Sequence, residues 1–166
     1  MATNIYRKIK DLPGSESLRH GRVSEPGRPY LVTTVTVERT SFFSDPINGR
    51  IVAREIARLD HGGYIQFLAF VVMPDHLHWL FVLGDKLSLS EVVAYLKGRS
   101  AHELNHHLQR EGAVWQKSFH DHALRKDEDI KQIARYLVAN PLRAGLVEKL
   151  NDYPLWDAIW VVPDRG

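Results

Sequence analysis

Three groups of residues in this sequence have types and spacings that support chemistry. His76-Leu77-His78 lies in a run that alternates like a β-strand. There, positions i and i+2 point to one face, and two imidazoles stand side by side to share a divalent cation. His102-Glu103-Leu104-Asn105-His106 matches the H-E-x-x-H pattern, in which helical i and i+4 histidines bind zinc and the glutamate acts as general base. Tyr136 and Asn140 lie four apart on one flank of a helical apolar stripe formed by Ile130, Ile133, Ala134, Leu137 and Val138. The amide oxygen of Asn140 is a hard ligand suited to Mg²⁺ or Mn²⁺, and with two imidazoles it makes an incomplete shell. The open positions admit water and phosphate, which points to phosphoryl chemistry.

Each group also has a plainer reading. His76 and His78 read equally as partly buried strand histidines. A catalytic zinc takes three protein ligands, and the H-E-x-x-H stretch is short of a third. Arg99 and Arg110 flank it, His107 turns to another face, and nothing in the spacing of His120 and His122 demands their help. A polar, solvated helix face accounts for it.

These residues need elements to hold them. Residues 31–38 (LVTTVTVE) are β-branched and alternate, which predicts a strand. Asp45-Pro46 predicts a turn, and Ile51, Val52, Ile56 and Leu59 a helix over 47–59 that Gly62-Gly63 ends. Residues 64–73 are nearly all apolar, as in a strand covered on both faces. Pro74-Asp75 then turns the chain into a strand over 76–83. Ser88 or Ser90 caps a helix running to Gln109, and 114–125 holds one or two short strands. Asp127 caps a further helix through about Asn140, where Pro141 ends it. The order β-α-β-β-α-β-α predicts an α+β fold, a ferredoxin-like antiparallel sheet with helices packed on one face.

Composition narrows the classes. The 166 residues suit one domain of ordinary globular make-up, with 44% hydrophobic and 25% charged residues. With no cysteine, thiolate metal sites and cysteine nucleophiles are excluded. The longest uninterrupted apolar stretch, 67–73, falls far short of the ~20 residues of a membrane helix. The polar, basic first ten residues lack a signal-peptide core, so a soluble, cytoplasmic protein is expected. Net charge is only +2, but it is uneven. The first 39 residues carry seven Lys/Arg against four Asp/Glu, and residues 97–143 nine against six plus five histidines. Two positive regions flank a near-neutral remainder, which suits phosphate tracking. Residues 1–29 read as a basic arm, 30–150 as the folded domain, and 151–166 as a tail packed on it through Trp156 and Trp160.

The strings VVMPDHLHWLF, VWQKSFHDHALR and IARYLVANPLRAGLV, in this order and spacing, resemble the REP-associated tyrosine transposases. These are HUH-type, single-tyrosine transposases related to small insertion-sequence enzymes that move single-stranded DNA. GRPYLVTTVTVERTSFF fits the family's first strand, so the likeness runs from about Gly21 to Val147. The resemblance implies an HUH-type fold with His76 and His78 as metal ligands, Tyr136 as nucleophile and Asn140 as the helix-borne third ligand. Insertion-sequence relatives commonly carry Gln at that last position, whereas Asn is usual in the REP-associated branch. It also places the H-E-x-x-H string in the family's second helix, as a coincidence.

The implied activity is metal-dependent cleavage and rejoining of single-stranded DNA at REP hairpins, through a covalent 5′-phosphotyrosine and with Mg²⁺ or Mn²⁺. A nucleoid-associated place in the cytoplasm goes with that role. Arg135 and Arg143 are candidate phosphate contacts; Lys97, Arg99, Lys117 and Arg125 are candidates for the DNA backbone. Arg19, Arg22 and Arg28 of the basic arm are candidates for reading the hairpin. Trp115, Phe119 and Tyr95 either stack on unpaired bases or pack in the core. Both monomer and homodimer fit. Two rival functions stand beside this one: a zinc metallopeptidase built on His102, Glu103 and His106, and a non-catalytic ferredoxin-like nucleic-acid-binding module.

Overall fold

A computed structural model describes residues 24–160. Arg19 and Arg22 lie outside the described residues. The strands are β1 (Pro29–Val35), β2 (Ile65–Met73), β3 (His76–Leu83), β4 (His120–Ala123) and β5 (Trp156–Ala158). The helices are α1 (Pro46–His61), α2 (Leu89–Leu108), α3 (Ile130–Val138) and the single turn α4 (Asn140–Arg143). The strands form one sheet in the order β4-β1-β3-β2-β5, with every neighbouring pair antiparallel. Strands one to four follow the split β-α-β order of the ferredoxin-like class, so the expected α+β architecture is present.

Alternation along the strands sorts their side chains into two cores. Tyr30 and Val32 of β1, with Leu77, Trp79 and Phe81 of β3, pack under Val52, Ile56 and Leu59 of α1 and Val92, Val93 and Leu96 of α2. Leu31, Val71, Met73 and Leu80 project oppositely, onto Ile133, Ala134, Leu137 and Val138 of α3. The expectation of helices on one face therefore holds for α1 and α2, while α3 covers the other. The nearly all-apolar β2 requires this, since a strand buried on both faces needs a cover on each.

Several boundaries differ from the sequence reading for local reasons. β1 stops at Val35 because the chain then enters a 3₁₀ turn, Val37–Arg39, in which Glu38 and Arg39 take φ of 54° and 52°. Ser88, not Ser90, caps α2: its Oγ accepts from Glu91 N–H while the Glu91 carboxylate accepts from Ser88 N–H. At its other end α2 closes as expected at Gln109, which caps it in the left-handed region. Asp129, not Asp127, caps α3 by accepting from Gln132 N–H. That helix ends at Val138, so Asn140 opens α4 instead of continuing the helix of Tyr136. Pro141 is tolerated there because the first turn of a helix has no use for its missing N–H. The tail does more than pack: β5 pairs with β2 along the sheet edge, and Leu155 enters the first core.

Candidate active site

The expected hairpin brings His76 and His78 together on β3, with ring centroids 4.8 Å apart and nearly perpendicular. Both lie on the sheet face that α3 covers, because Leu80, next in the alternation, belongs to the core beneath α3. His78 is buried at 1% exposure, and His76 is half-buried. Each ring is held through Nδ1. Thr33, the register partner of His78 on β1, places Oγ1 2.9 Å from the Nδ1 of His78. Asp75 Oδ1 lies 2.6 Å from His76 Nδ1, and Arg39 Nη1 donates to Asp75 Oδ2 at 3.1 Å.

Burial pushes the Asp75 carboxyl up, but the hydrogen bonds and charges of His76 and Arg39 outweigh it and hold the group below the usual carboxylate range. An ionised carboxylate only accepts, so His76 Nδ1 is the donor in this hydrogen bond and Nε2 is turned away from it. Residue spacing does not single out Thr33, Asp75 or Arg39. Asp75 carries only a turn signal, and the other two meet their partners through strand register and a loop that spacing does not encode.

On the same face, α3 presses Ile133, Ala134, Leu137 and Val138 onto the sheet and leaves Tyr136 half-buried on its flank. Asn140 Nδ2 donates to Leu137 O at 2.8 Å. This orients the amide, with Oδ1 as its acceptor atom. Two imidazole nitrogens and one amide oxygen are a donor set that fits a divalent ion with positions open to phosphate and water. Arg143, from α4, lies with its guanidinium 3.7 Å from the Tyr136 ring centroid, and its Nη2 donates to Tyr136 O at 2.7 Å.

The remaining candidates divide. Lys117, Arg125 and Arg135 are exposed. Arg99 is also exposed but stands 3.9 Å from the buried carboxylate of Glu55. Two have structural uses: Lys97 Nζ donates to Gln116 O at 2.6 Å, and Arg28 donates to Glu25 and to Leu124 O. Trp115 is core, buried with its indole N–H on Ser100 Oγ, whereas Tyr95 is exposed.

His120 and His122 share the face of the site, being register partners of Thr33 and Leu31, and His122 Nε2 lies 2.9 Å from Glu128 Oε1. Their i, i+2 spacing was the signal for a shared face. By contrast, His102 and His106 stand exposed on α2, which packs on the opposite face. Among the described residues no three His, Cys, Asp or Glu side chains gather as a metal-holding group, so the H-E-x-x-H motif acquires no third ligand there. Nor is any helix among them long and apolar enough to cross a membrane.

Known proteins resemble this chain in sequence and in fold. Residues 29–140 match the family described as Transposase IS200 like. A REP-associated tyrosine transposase of Haemophilus influenzae is 30% identical over 139 residues, spanning 77% of this chain and 78% of that one. One of Escherichia coli is 31% identical over 88 residues, 52% of this chain and 50% of the other. Among solved structures, a REP-associated tyrosine transposase bound to a REP hairpin superposes with a TM-score of 0.66 at 21% identity, covering 83% of this chain and 81% of that one.

Proposed function

This chain belongs to the IS200-like transposase family, on its REP-associated tyrosine transposase branch, and we propose that it cleaves and rejoins single-stranded DNA at REP-type hairpins through Tyr136. This reading is supported by the His76–His78 pair lying on the sheet face that α3, the helix of Tyr136, packs against, with Asn140 opening the next turn. The hairpin itself is carried over from the hairpin-bound relative of the same fold.

In the proposed reaction Tyr136 Oη attacks the scissile phosphorus in line and loses its proton as the new P–O bond forms. The 3′-oxygen departs and takes up a proton, leaving the 5′-phosphate on the tyrosine. A second strand's 3′-hydroxyl reverses these bonds and joins DNA with no nucleotide cofactor. His76, His78 and Asn140 would hold a Mg²⁺ or Mn²⁺ ion, which when bound supplies Lewis acidity toward a non-bridging phosphate oxygen. Thr33 and Asp75 orient the two imidazoles, and Arg143 holds the Tyr136 ring. The exposed Lys117, Arg125 and Arg135 offer charge to the DNA backbone, a sequence-independent contribution that weakens with salt.

The test is a covalent adduct. Incubated with a REP-derived hairpin strand and Mn²⁺, the protein should yield a DNA-linked band on a denaturing gel. Tyr136→Phe should bind the strand but form no adduct, and EDTA should remove the adduct from the native protein. An adduct of undiminished yield with Tyr136→Phe would reject Tyr136 as nucleophile, and one insensitive to EDTA would remove His76, His78 and Asn140 from the role given them.

A further inference from the structure

The turn after β1 is bonded on every side. Thr36 N donates to Asp75 O at 2.9 Å, and the one proton of Thr36 Oγ1 is shared between Thr40 O at 2.8 Å and Asp75 O at 3.1 Å. Thr40 Oγ1 donates to Val37 O at 2.9 Å, and Phe43 N to Pro74 O at 3.0 Å. Within this mesh two consecutive non-glycine residues, Glu38 and Arg39, occupy the left-handed region. Such backbone persists only where its surroundings over-determine it. What the turn delivers is the Arg39 guanidinium, placed on the Asp75 carboxylate whose other oxygen meets His76 Nδ1. The Arg39 side chain is 65% exposed, and an exposed ion pair stabilises a fold only weakly. Folding stability is therefore a poor reason for the strain.

We propose that Asp75 is the positioning residue for His76 and Arg39 the positioning residue for Asp75, an outer relay that fixes the ring and tautomer of His76 so that Nε2 receives a divalent cation. The inference rests on the reading of His76 as a metal ligand. His76 is backed by a carboxylate, itself anchored by a guanidinium, and a carboxylate partner raises the basicity of a ligating imidazole. His78 is backed by the neutral hydroxyl of Thr33. The relay also ties the turn after β1 to the turn before β3, so that Arg39 belongs to the site although 36 residues lie between it and His76.

The experiment measures Mn²⁺ affinity of the full chain by electron paramagnetic resonance, without DNA and without turnover. His76→Ala should abolish binding. Asp75→Ala should weaken it by about 10- to 100-fold, the usual effect of removing an outer-shell partner. Arg39→Ala should weaken it by a smaller factor, and Arg39→Lys should recover most of that loss. Nitrogen-15 spectra should show His76 protonated at Nδ1 in the native protein and shifted toward the Nε2-protonated form in Asp75→Ala. Native affinity in both Asp75→Ala and Arg39→Ala, with binding lost in His76→Ala, would overturn the relay and leave the metal site standing. Native affinity in His76→Ala would instead reject the site, and the relay with it. Should Asp75→Ala fail to fold, the exposed Arg39 pair of variants decides the matter alone.

Discussion

The guanidinium of Arg143 covers the ring of Tyr136 at 3.7 Å and donates to that residue's own carbonyl oxygen. The break at Ala139 makes this possible. In an unbroken helix, position i+7 lies two turns, about 10.5 Å, further along the axis. Carbonyls in the last turn of a helix also lack the amide partners that continuation supplies, so Arg143 both satisfies the Tyr136 carbonyl and flattens against the ring. Lysine keeps the charge but has neither the planar face nor the fork. Arg143→Lys should therefore slow cleavage roughly 10- to 100-fold, the scale of a small misplacement of a reacting group. Hairpin binding should fall in much smaller proportion. Single-turnover cleavage set beside fluorescence anisotropy separates the two effects, and equal losses in both would mean that Arg143 serves the DNA backbone instead.

The exposed histidines of α2 make a contrasting case. His102 and His106 touch neither core, and the buried residue of that stretch is Leu104. His102→Ala and His106→Ala should leave adduct formation unchanged and shift stability by no more than about 0.5 kcal/mol, as exposed substitutions do. Stoichiometric zinc that disappears with His102→Ala would return the H-E-x-x-H motif to consideration.

The three central strands were legible because their signals are local, whereas edge strand β5 was hidden in a tail whose Trp156 and Trp160 read only as packing. The β-branched run of β1, the Pro74-Asp75 turn and the two-residue spacing of His76 and His78 each predict their element alone. Even the second core was implied by the unbroken apolar run of β2. The parts of the site that were not legible depend on long-range register or on competing caps. Thr33 meets His78 only because β1 pairs with β3 in one register. Arg39 meets Asp75 only through a left-handed turn that no glycine announces. Asp127 and Asp129 are equally good caps by type, and the packing of Ile133 and Leu137 selects the later one. The even 3.6-residue pattern through Tyr136 and Asn140 concealed a break, because proline at the second position of α4 reads the same as proline that stops α3.

Tyr153 links the tail to the sheet by donating its hydroxyl to Val72 O, and burial pushes its phenol up to about 12. Tyr153→Phe should cost about 1 kcal/mol, the usual net value of one hydrogen bond. The pH dependence follows from the direction of the shift. A phenol raised from about 10 when unfolded contributes stability that is complete below pH 10 and lost as pH rises toward 12. The native protein should therefore lose denaturant resistance more steeply than Tyr153→Phe between pH 10 and 12. Parallel curves for the two proteins would show that the phenol is not protected.

At the start of α2 the sign is opposite. Glu91 lies below the usual carboxylate value because the backbone N–H of Ser88, and then its side chain, hydrogen-bond to it in the capping box. A depressed carboxyl contributes stability that is complete above its unfolded value, near 4.5, and is lost as pH falls through the folded one. Glu91→Gln retains an acceptor for Ser88 N–H but carries no charge against the helix N-terminus. The native protein should be more stable than Glu91→Gln at pH 7, and the difference should shrink progressively as pH falls below 4.5, because protonated glutamate resembles glutamine. Urea midpoints of the two proteins across pH 3–7 measure this directly. A difference that persists unchanged at pH 3 would mean that the glutamate acts through packing and not through its charge.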